Sequence, residues 1–105
     1  MNERQFNKKF RQEIEQRGGI AFIINPEGNT GLPDLFCKLP HWTRGVFCEL
    51  KMKKGYLSPK QKWWKGQFDN VNELLFVVWH ENDKSVSQIV EGVNQEMEKL
   101  NVTKR

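Results

Sequence analysis

The apolar run at residues 73–79, ELLFVVW, constrains the fold of this 105-residue chain more than any other feature. It is far too short to span a bilayer, and it is rich in the β-branched and aromatic residues that favour strands. A strand covered on both faces shows such a nearly continuous apolar pattern, whereas a strand with one wet face alternates. We therefore expect a layered α/β fold in which this strand lies near the centre of the sheet.

A helix and three short strands are predicted before this run. Phe6, Phe10 and Ile14 recur at four-residue steps among polar residues, which predicts a surface helix over residues 2–17. Three β-branched and aromatic runs follow at residues 20–24, 34–38 and 46–51, separated by segments rich in Gly, Pro and Asn. The second and third of these runs can pair as an antiparallel hairpin.

Two further helices flank the apolar run. Ser58 and Pro59 form a typical helix start, and Ser85 begins a last helix. The order αβββαβα predicts an α/β fold with a mixed central sheet flanked by helices, in one domain over residues 1–105 with a frayed tail at 101–105. The residues expected on the inner faces of the second and last helices are Trp64, Phe68, Val71, Ile89, Val93, Met97 and Leu100.

The composition fits a folded domain but does not by itself indicate nucleic acid. Seventeen Lys and Arg against thirteen Asp and Glu give a net charge of +4, which is a common balance. The N-terminal segment is charged and lacks an apolar core, so we expect no signal peptide and a cytoplasmic location. Cys37 and Cys48 have no neighbouring cysteine, which predicts buried reduced thiols rather than a disulfide framework or a zinc site.

A cluster of lysines is the strongest charge feature. Residues 51–65 contain six lysines and no acid. A local excess of positive charge attracts phosphates, although a solvated helix face gives the same pattern. The lysines that we assign to DNA binding are Lys53, Lys54, Lys60, Lys62 and Lys65.

Two acids and a lysine are predicted to meet where the second and third strands pair. Asp34 opens one strand, and Glu49 and Lys51 share a face of the other because strand side chains alternate. Asp34 and Glu49 can then converge on one cation, with the Leu50 carbonyl as a third oxygen ligand of the kind that Mg²⁺ prefers. This pattern favours phosphodiester hydrolysis, with Lys51 orienting the attacking water or stabilising transition-state charge. The alternative is a turn-capping aspartate beside a solvent-facing acid.

Gln61 has two explanations. As the third residue after Ser58, it can bond back to that residue and complete a capping box. It also shares a helix face with Trp64 and Phe68, which directs it toward the sheet and the two acids. The sequence leaves both explanations open.

Three short stretches together resemble the VRR-NUC family, a branch of the PD-(D/E)xK nucleases. They are GLPDL at 31–35, ELK at 49–51 and GYLSPKQ at 55–61, and the resemblance spans about residues 3 to 80. It implies a restriction-endonuclease-like core and a Mg²⁺-dependent DNA endonuclease in which Mn²⁺ can substitute. It places the metal ligands at Asp34, Glu49 and the Leu50 carbonyl, and it makes Lys51 and Gln61 the lysine and glutamine of the motif.

The family usually carries a further acid on the first helix. Here Glu3, Glu13 and Glu15 are the candidates. Glu3 is favoured as an additional metal ligand because it precedes Phe6 by a helical step. If no acid of this helix reaches the metal, one-metal hydrolysis remains open while a second metal site becomes doubtful.

The resemblance also implies a class of substrate. Stand-alone members of the family, often phage-encoded, resemble Holliday junction resolvases that act as homodimers. The chain is therefore expected to cut branched DNA as a two-fold dimer, in the host cytoplasm if a phage encodes it. The alternatives are a nicking or flap endonuclease, a non-catalytic DNA-binding module of the same fold, and a nuclease directed at RNA.

Overall fold

The computed structural model describes residues 1–25, 31–52 and 55–104. Its elements follow the order αβββαβα, which confirms the expected fold class. Their bounds are α1 Glu3–Gln16, β1 Ile20–Ile23, β2 Leu35–Lys38, β3 Val46–Met52, α2 Pro59–Asn70, β4 Leu75–His80 and α3 Val86–Lys99. Lys53 and Lys54, two of the lysines assigned to DNA binding, lie outside the described residues.

Local signals fix both ends of α1. The Asn2 side chain accepts a hydrogen bond from the Gln5 N–H, and the Gln5 side chain accepts one from the Asn2 N–H. Gly18 follows the helix at φ +85°, a left-handed conformation that residues with a side chain rarely adopt. The residues of α1 that are fully buried are Phe6, Phe10 and Ile14, as predicted.

The strands form one mixed sheet in the order β1-β2-β3-β4. β1 and β2 are antiparallel, as are β2 and β3, whereas β3 and β4 are parallel. In the described part of the chain β4 is therefore an edge strand, and the prediction that it lies near the centre is wrong. Its apolar composition reflects covered faces: Phe76 and Val78 pack with the main core, and α2 contacts the same strand. Coverage of the faces and pairing of the edges are independent properties.

Helices α1 and α3 pack against each other and cover one face of the sheet. The alternate residues Cys48 and Leu50 of β3 point into this core and are fully buried. The Sγ atoms of Cys37 and Cys48 lie 3.9 Å apart, and both residues are free thiols. The cysteines thus contribute to the apolar core, as predicted.

Helix α2 covers the opposite face of the sheet less completely. The rings of Phe47 on β3 and Phe68 on α2 meet edge to face at 5.0 Å. None of the α2 residues is fully buried, and Trp64 and Phe68 are half-buried. Val71 is 67% exposed, so its prediction as an inner-face residue is wrong. The helix ends at Asn70, and Val71 is the C-cap residue outside the last turn.

Helix α3 begins at a capping box formed by Ser85 and Gln88. Its inner face carries the predicted Ile89, Val93 and Met97, all buried. Leu100 is 48% exposed, which contradicts its prediction as the end of this stripe. It is the C-cap residue and has already left the helical face. Within the described ranges, no helix is long and apolar enough to cross a membrane.

Residues 102–104 bond to the loop after β2, where fraying was expected. The Thr43 N–H donates to the Val102 carbonyl at 2.7 Å, and Thr103 forms a bridge with Trp42. The Asn94 side-chain oxygen accepts a hydrogen bond of 2.8 Å from Trp42 Nε1. Trp42 is fully buried, so this end of the chain closes one side of the core.

Candidate active site

Asp34 is held at the start of β2 by the backbone of β3. Its Oδ2 accepts a hydrogen bond of 2.7 Å from the Leu50 N–H. Because Leu35 pairs with Cys48, continuing the register places Pro33 opposite Leu50. Proline has no N–H to donate, so the ladder between the two strands does not use the Leu50 carbonyl. The Pro-Asp sequence therefore places a backbone oxygen and a carboxylate side by side.

Glu49 lies on β3 and is only 4% exposed. Its Oε1 accepts a hydrogen bond of 2.7 Å from Gln61 Nε2 and lies 3.7 Å from Lys51 Nζ. Glu49 and Lys51 thus share a face of β3, as the alternation of strand side chains predicts. Contacts from β3 and α2 together orient this buried carboxylate.

Gln61 fulfils both of the roles that the sequence left open. Its backbone N–H donates to the Ser58 hydroxyl at 3.2 Å, and its side-chain Oε1 accepts from the Ser58 N–H at 2.8 Å. The same side chain then donates from Nε2 to Glu49. A capping box uses only the amide oxygen, which leaves the amide nitrogen for the site.

Three carboxylates meet at this point of the fold. Oxygen atoms of Glu3, Asp34 and Glu49 all lie within 4.8 Å of one another. They come from α1, from the residue before β2 and from β3. An arrangement of three convergent carboxylates offers the hard oxygen ligands that Mg²⁺ and Mn²⁺ prefer.

The structure brings one of the three candidate acids of the first helix to this cluster. Glu3 lies in the first turn of α1, three residues before the buried Phe6, so it shares the inner face of the helix. Glu13 instead forms an ion pair with Arg17 at 2.9 Å, and Glu15 is exposed. Of the three acids, Glu3 therefore lies where the sequence favoured it, and its role as a metal ligand stays a prediction.

The surroundings of the cluster disfavour the ionised state of Asp34 and Glu49. Burial raises the pKa of Glu49 to about 8, and repulsion from Asp34 adds to that rise. Burial also raises the pKa of Asp34, although its hydrogen bond from Leu50 acts in the opposite direction. The positive charge of Lys51 lowers both pKa values, while the negative charge of Glu3 raises them. A divalent cation would supply the missing positive charge, so the residues fit such an ion.

The described lysines of the predicted DNA-binding set lie on α2. Lys60 and Lys62 are exposed, and Lys65 forms an ion pair with Asp69, with 3.5 Å between Nζ and Oδ2. A Cβ added at Gly31 would lie 2.6 Å from the Lys60 Cβ, and Gly31 has φ +76°. The segment leading into β2 therefore packs on the first turn of α2, with Lys60 at the junction. The close approach at Gly31 was not recognised from the sequence, where the glycine indicated only a turn.

No protein-family model matches the sequence, and no curated protein matches it. A solved VRR_NUC domain is similar in structure, with a TM-score of 0.66 and 25% sequence identity. The similarity covers 88% of this chain and 94% of that one. This chain has a VRR-NUC-like fold. The resemblance found in the sequence is thereby confirmed, together with the restriction-endonuclease-like core.

A second solved structure shares the VRR-NUC-like fold. It is Hjc, a Holliday junction resolvase from the archaeal hyperthermophile Archaeoglobus fulgidus. The TM-score is 0.57 at 17% identity, and the similarity covers 77% of this chain and 69% of that one. At this identity the similarity concerns the fold alone.

Proposed function

We propose that this VRR-NUC-like chain is a metal-dependent endonuclease that hydrolyses phosphodiester bonds in DNA. The observation that carries the proposal is the convergence of three carboxylates within 4.8 Å, with Lys51 beside them. The nuclease folds of the two similar structures support it. Glu49 is buried beside two other acids, and a buried carboxylate in such surroundings is costly unless a cation neutralises its charge.

The proposed metal is Mg²⁺, for which Mn²⁺ can substitute. Asp34, Glu49 and the Leu50 carbonyl would hold it, with Glu3 as a further ligand. When bound, the ion lowers the pKa of a coordinated water and offsets negative charge on the phosphate. Because the pKa of Glu49 is raised to about 8, this carboxyl would have to release its proton to act as a metal ligand at neutral pH.

The remaining side chains of the site are proposed to orient the carboxylates and to neutralise negative charge. Lys51 can donate to the attacking water or to a phosphate oxygen, because its Nζ is beside the cluster at 3.7 Å from Glu49 Oε1. Gln61 fixes the same oxygen of Glu49 and so keeps the other carboxylate oxygen directed away from α2. Asp34 is fixed in turn by the Leu50 N–H. Asp34 and Glu49 are therefore each oriented by a hydrogen bond, as a preorganised metal site requires.

The DNA backbone is proposed to run along the first turns of α2. Lys60, Lys62 and Lys65 lie on this helix, and Lys53 and Lys54 precede it in the sequence. Contacts from these lysines to phosphates would be independent of base sequence and would weaken steeply with salt. They position the substrate, whereas the carboxylate cluster performs the chemistry.

The proposed substrate is branched DNA, cut by a two-fold dimer. A four-way junction has two symmetric strands, and a dimer presents two symmetric sites to them. The test is cleavage of a labelled four-way junction in Mg²⁺ or Mn²⁺, beside flap, nicked and linear duplexes and a matched RNA. Paired symmetric nicks in the junction support the proposal. Cutting of the flap or duplex alone keeps the endonuclease and overturns junction resolution.

A non-catalytic DNA-binding module is the competing proposal from another class. It would retain the fold and the lysines of α2 but would leave every DNA form intact. Binding that persists in Mg²⁺ without cutting of any substrate would favour it. The presence of Asp34, Glu49 and Lys51 together favours the catalytic proposal over the binding module.

A further inference from the structure

The outer edge of β4 has the composition of an interior strand. Within the described residues, β4 pairs with β3 and no strand pairs with its other edge. Its sequence, LFVVWH, contains none of the lysines, acids or prolines by which proteins protect an open edge from pairing. A strand composed in this way is typical of one that has neighbours on both sides.

The hydrogen-bond pattern identifies which backbone groups are directed outward. The Phe47 N–H donates to the Leu74 carbonyl at 2.9 Å, and Phe47 is level with Leu75 in the parallel register. In a parallel ladder alternate residues bond to one neighbour, so the residues between them direct their N–H and C=O groups to the other side. The outward-directed residues of β4 are Leu75, Val77 and Trp79.

A groove follows this edge between β4 and α3. It has a volume of about 380 Å³, and one flank of α3 carrying Gln88, Gly92 and Glu96 lines it. A Cβ added at Gly92 would meet no atom within 4 Å. Glycine in the middle of a helix costs about 1 kcal/mol relative to alanine, and this chain gains no packing from it. Because Gly92 lines the groove and has no side chain, another backbone can approach closely at this flank of α3.

We propose that a second copy of this chain pairs its β4 antiparallel with this edge, about a two-fold axis at Val77. Two sheets of four strands then become one continuous sheet, and the α3 helices approach each other at Gly92. The axis places Leu75 opposite Trp79 of the partner subunit, which covers a tryptophan that is 37% exposed in the single chain. Aromatic and aliphatic cross-strand pairs of this kind stabilise antiparallel sheets.

Charges at the two ends of β4 favour a second copy over an unrelated strand. Glu73 and Arg44 form an ion pair at 2.8 Å near the start of the strand, and Glu81 and Lys84 form one at 3.2 Å after its end. The two-fold axis brings the start of one strand to the end of the other. Glu73 is then level with Glu81 of the partner subunit, and the Arg44 and Lys84 that pair with these acids keep each junction neutral.

The pairing sets the distance between the two candidate sites. Glu49 is level with Val77 in the parallel register, on the strand next to β4. Both copies of Glu49 would therefore lie on the same face of the joined sheet, about three strand spacings or roughly 14 Å apart. This inference rests on the proposed function, which calls for a dimer with two active sites, and it identifies the surface through which the two copies associate.

The test is the oligomeric state of the wild type, Gly92→Arg and Gly66→Arg by sedimentation velocity over a range of concentrations. Gly66 is the matched control, because it also lies in mid-helix with no atom near its Cβ and faces away from the sheet. We expect dimers for the wild type and Gly66→Arg, and a dissociation constant at least about tenfold higher for Gly92→Arg. Thermal melts should show both variants folded, since arginine favours helix over glycine. A wild type that stays monomeric, or a Gly92→Arg dimer of wild-type affinity, overturns the proposal.

Amide hydrogen exchange distinguishes this edge from any other dimer surface. The Val77 N–H should exchange slowly in the dimer and rapidly in Gly92→Arg, while the Val78 N–H, directed toward β3, should be protected in both. A dimer in which Val77 exchanges rapidly overturns the proposal. A monomer that still cuts DNA would refute the dimer and leave the nuclease proposal standing. A dimer with a slowly exchanging Val77 N–H that cuts no DNA would support the dimer and refute the nuclease proposal.

Discussion

Gln61 Nε2 donates a hydrogen bond of 2.7 Å to Glu49 Oε1, while the Oε1 of the same glutamine accepts one of 2.8 Å from the Ser58 N–H. A single amide therefore caps α2 and orients the most buried acid of the candidate site. The start of the helix and the position of the carboxylate depend on each other. Substitution of this glutamine should have two separable effects, one on stability and one on the metal site.

The first prediction separates those two effects with a matched pair of variants. Gln61→Ala and Gln88→Ala each remove the same partner of a serine cap, and Gln88 belongs to α3, where its amide has no contact with Glu49. Both variants should lose about 1 kcal/mol in the free energy of unfolding from the cap, and Gln61→Ala should lose more because it also removes the donor to the buried Glu49. Gln61→Ala alone should weaken Mn²⁺ binding, by about 10- to 100-fold in titration calorimetry. Equal Mn²⁺ affinity in the two variants would contradict the orienting role.

Local regularities explain how much of the site could be predicted. The alternation of strand side chains placed Glu49 and Lys51 on one face, and the spacing to Asp34 allowed a hairpin. Both relations depend on residues that are near in sequence. Gln61 could not be assigned to one role because it has two, and a sequence does not show that an amide uses both of its ends.

The predictions that were wrong concern positions that long-range packing determines. An apolar strand sequence indicates that both faces are covered, so the run at 73–79 could not show that β4, within the described residues, lacks a neighbouring strand on one side. Val71 and Leu100 continue a helical period in the sequence, but each is a C-cap residue at which the helix has ended. The sequence favoured Glu3 among the acids of α1, but its distance from Asp34 and Glu49 depends on how that helix docks on the sheet.

The second prediction tests the contribution of the first helix. Glu3→Gln should weaken Mn²⁺ binding by about tenfold, because it removes one negative charge from a cluster of three carboxylates. It should also lower the pKa of Glu49, since the charge of Glu3 raises that pKa. Glu15→Gln is the control, an exposed acid elsewhere on the same helix. Titration calorimetry giving the same Mn²⁺ affinity for both variants would remove Glu3 from the site.

The third prediction concerns stability and pH in the absence of metal. The pKa of Glu49 is raised from 4.5 to about 8 in the folded protein, so the folded state binds this proton more tightly than the unfolded chain does. The resulting stabilisation is complete below pH 4.5 and is lost as the pH rises toward 8. Urea denaturation in a chelator should therefore show a free energy of unfolding that falls across this window.

Two comparisons make that pH profile specific to the site. Glu49→Gln should flatten the fall in the free energy of unfolding, because the variant has no proton to release at this position. Added Mg²⁺ should stabilise the wild type more at the upper end of the window than at the lower end, since the metal binds the deprotonated carboxylate. A wild-type profile as flat as that of the variant would show that Glu49 ionises normally.

The fourth prediction concerns the contact of α2 with phosphates. Lys60→Ala should reduce the slope of log binding constant against log salt by about 0.9 if this lysine neutralises one phosphate. Lys99→Ala is the control, because Lys99 is exposed on α3 and pairs with Glu96. Fluorescence anisotropy with labelled DNA in Ca²⁺ would measure both slopes. Identical slopes for the two variants would place the DNA elsewhere.

The central claim is metal-dependent hydrolysis at the carboxylate cluster, and cleavage by the wild type and Glu49→Gln tests it most directly. A labelled mixture of junction, flap and duplex DNA would be incubated with Mg²⁺, with Mn²⁺ and with a chelator. We expect the wild type to cut at least one of these in either metal and none in the chelator. Glu49→Gln should be slower by at least about 100-fold while remaining folded. Equal cutting by the variant, or cutting in the chelator, would contradict the claim.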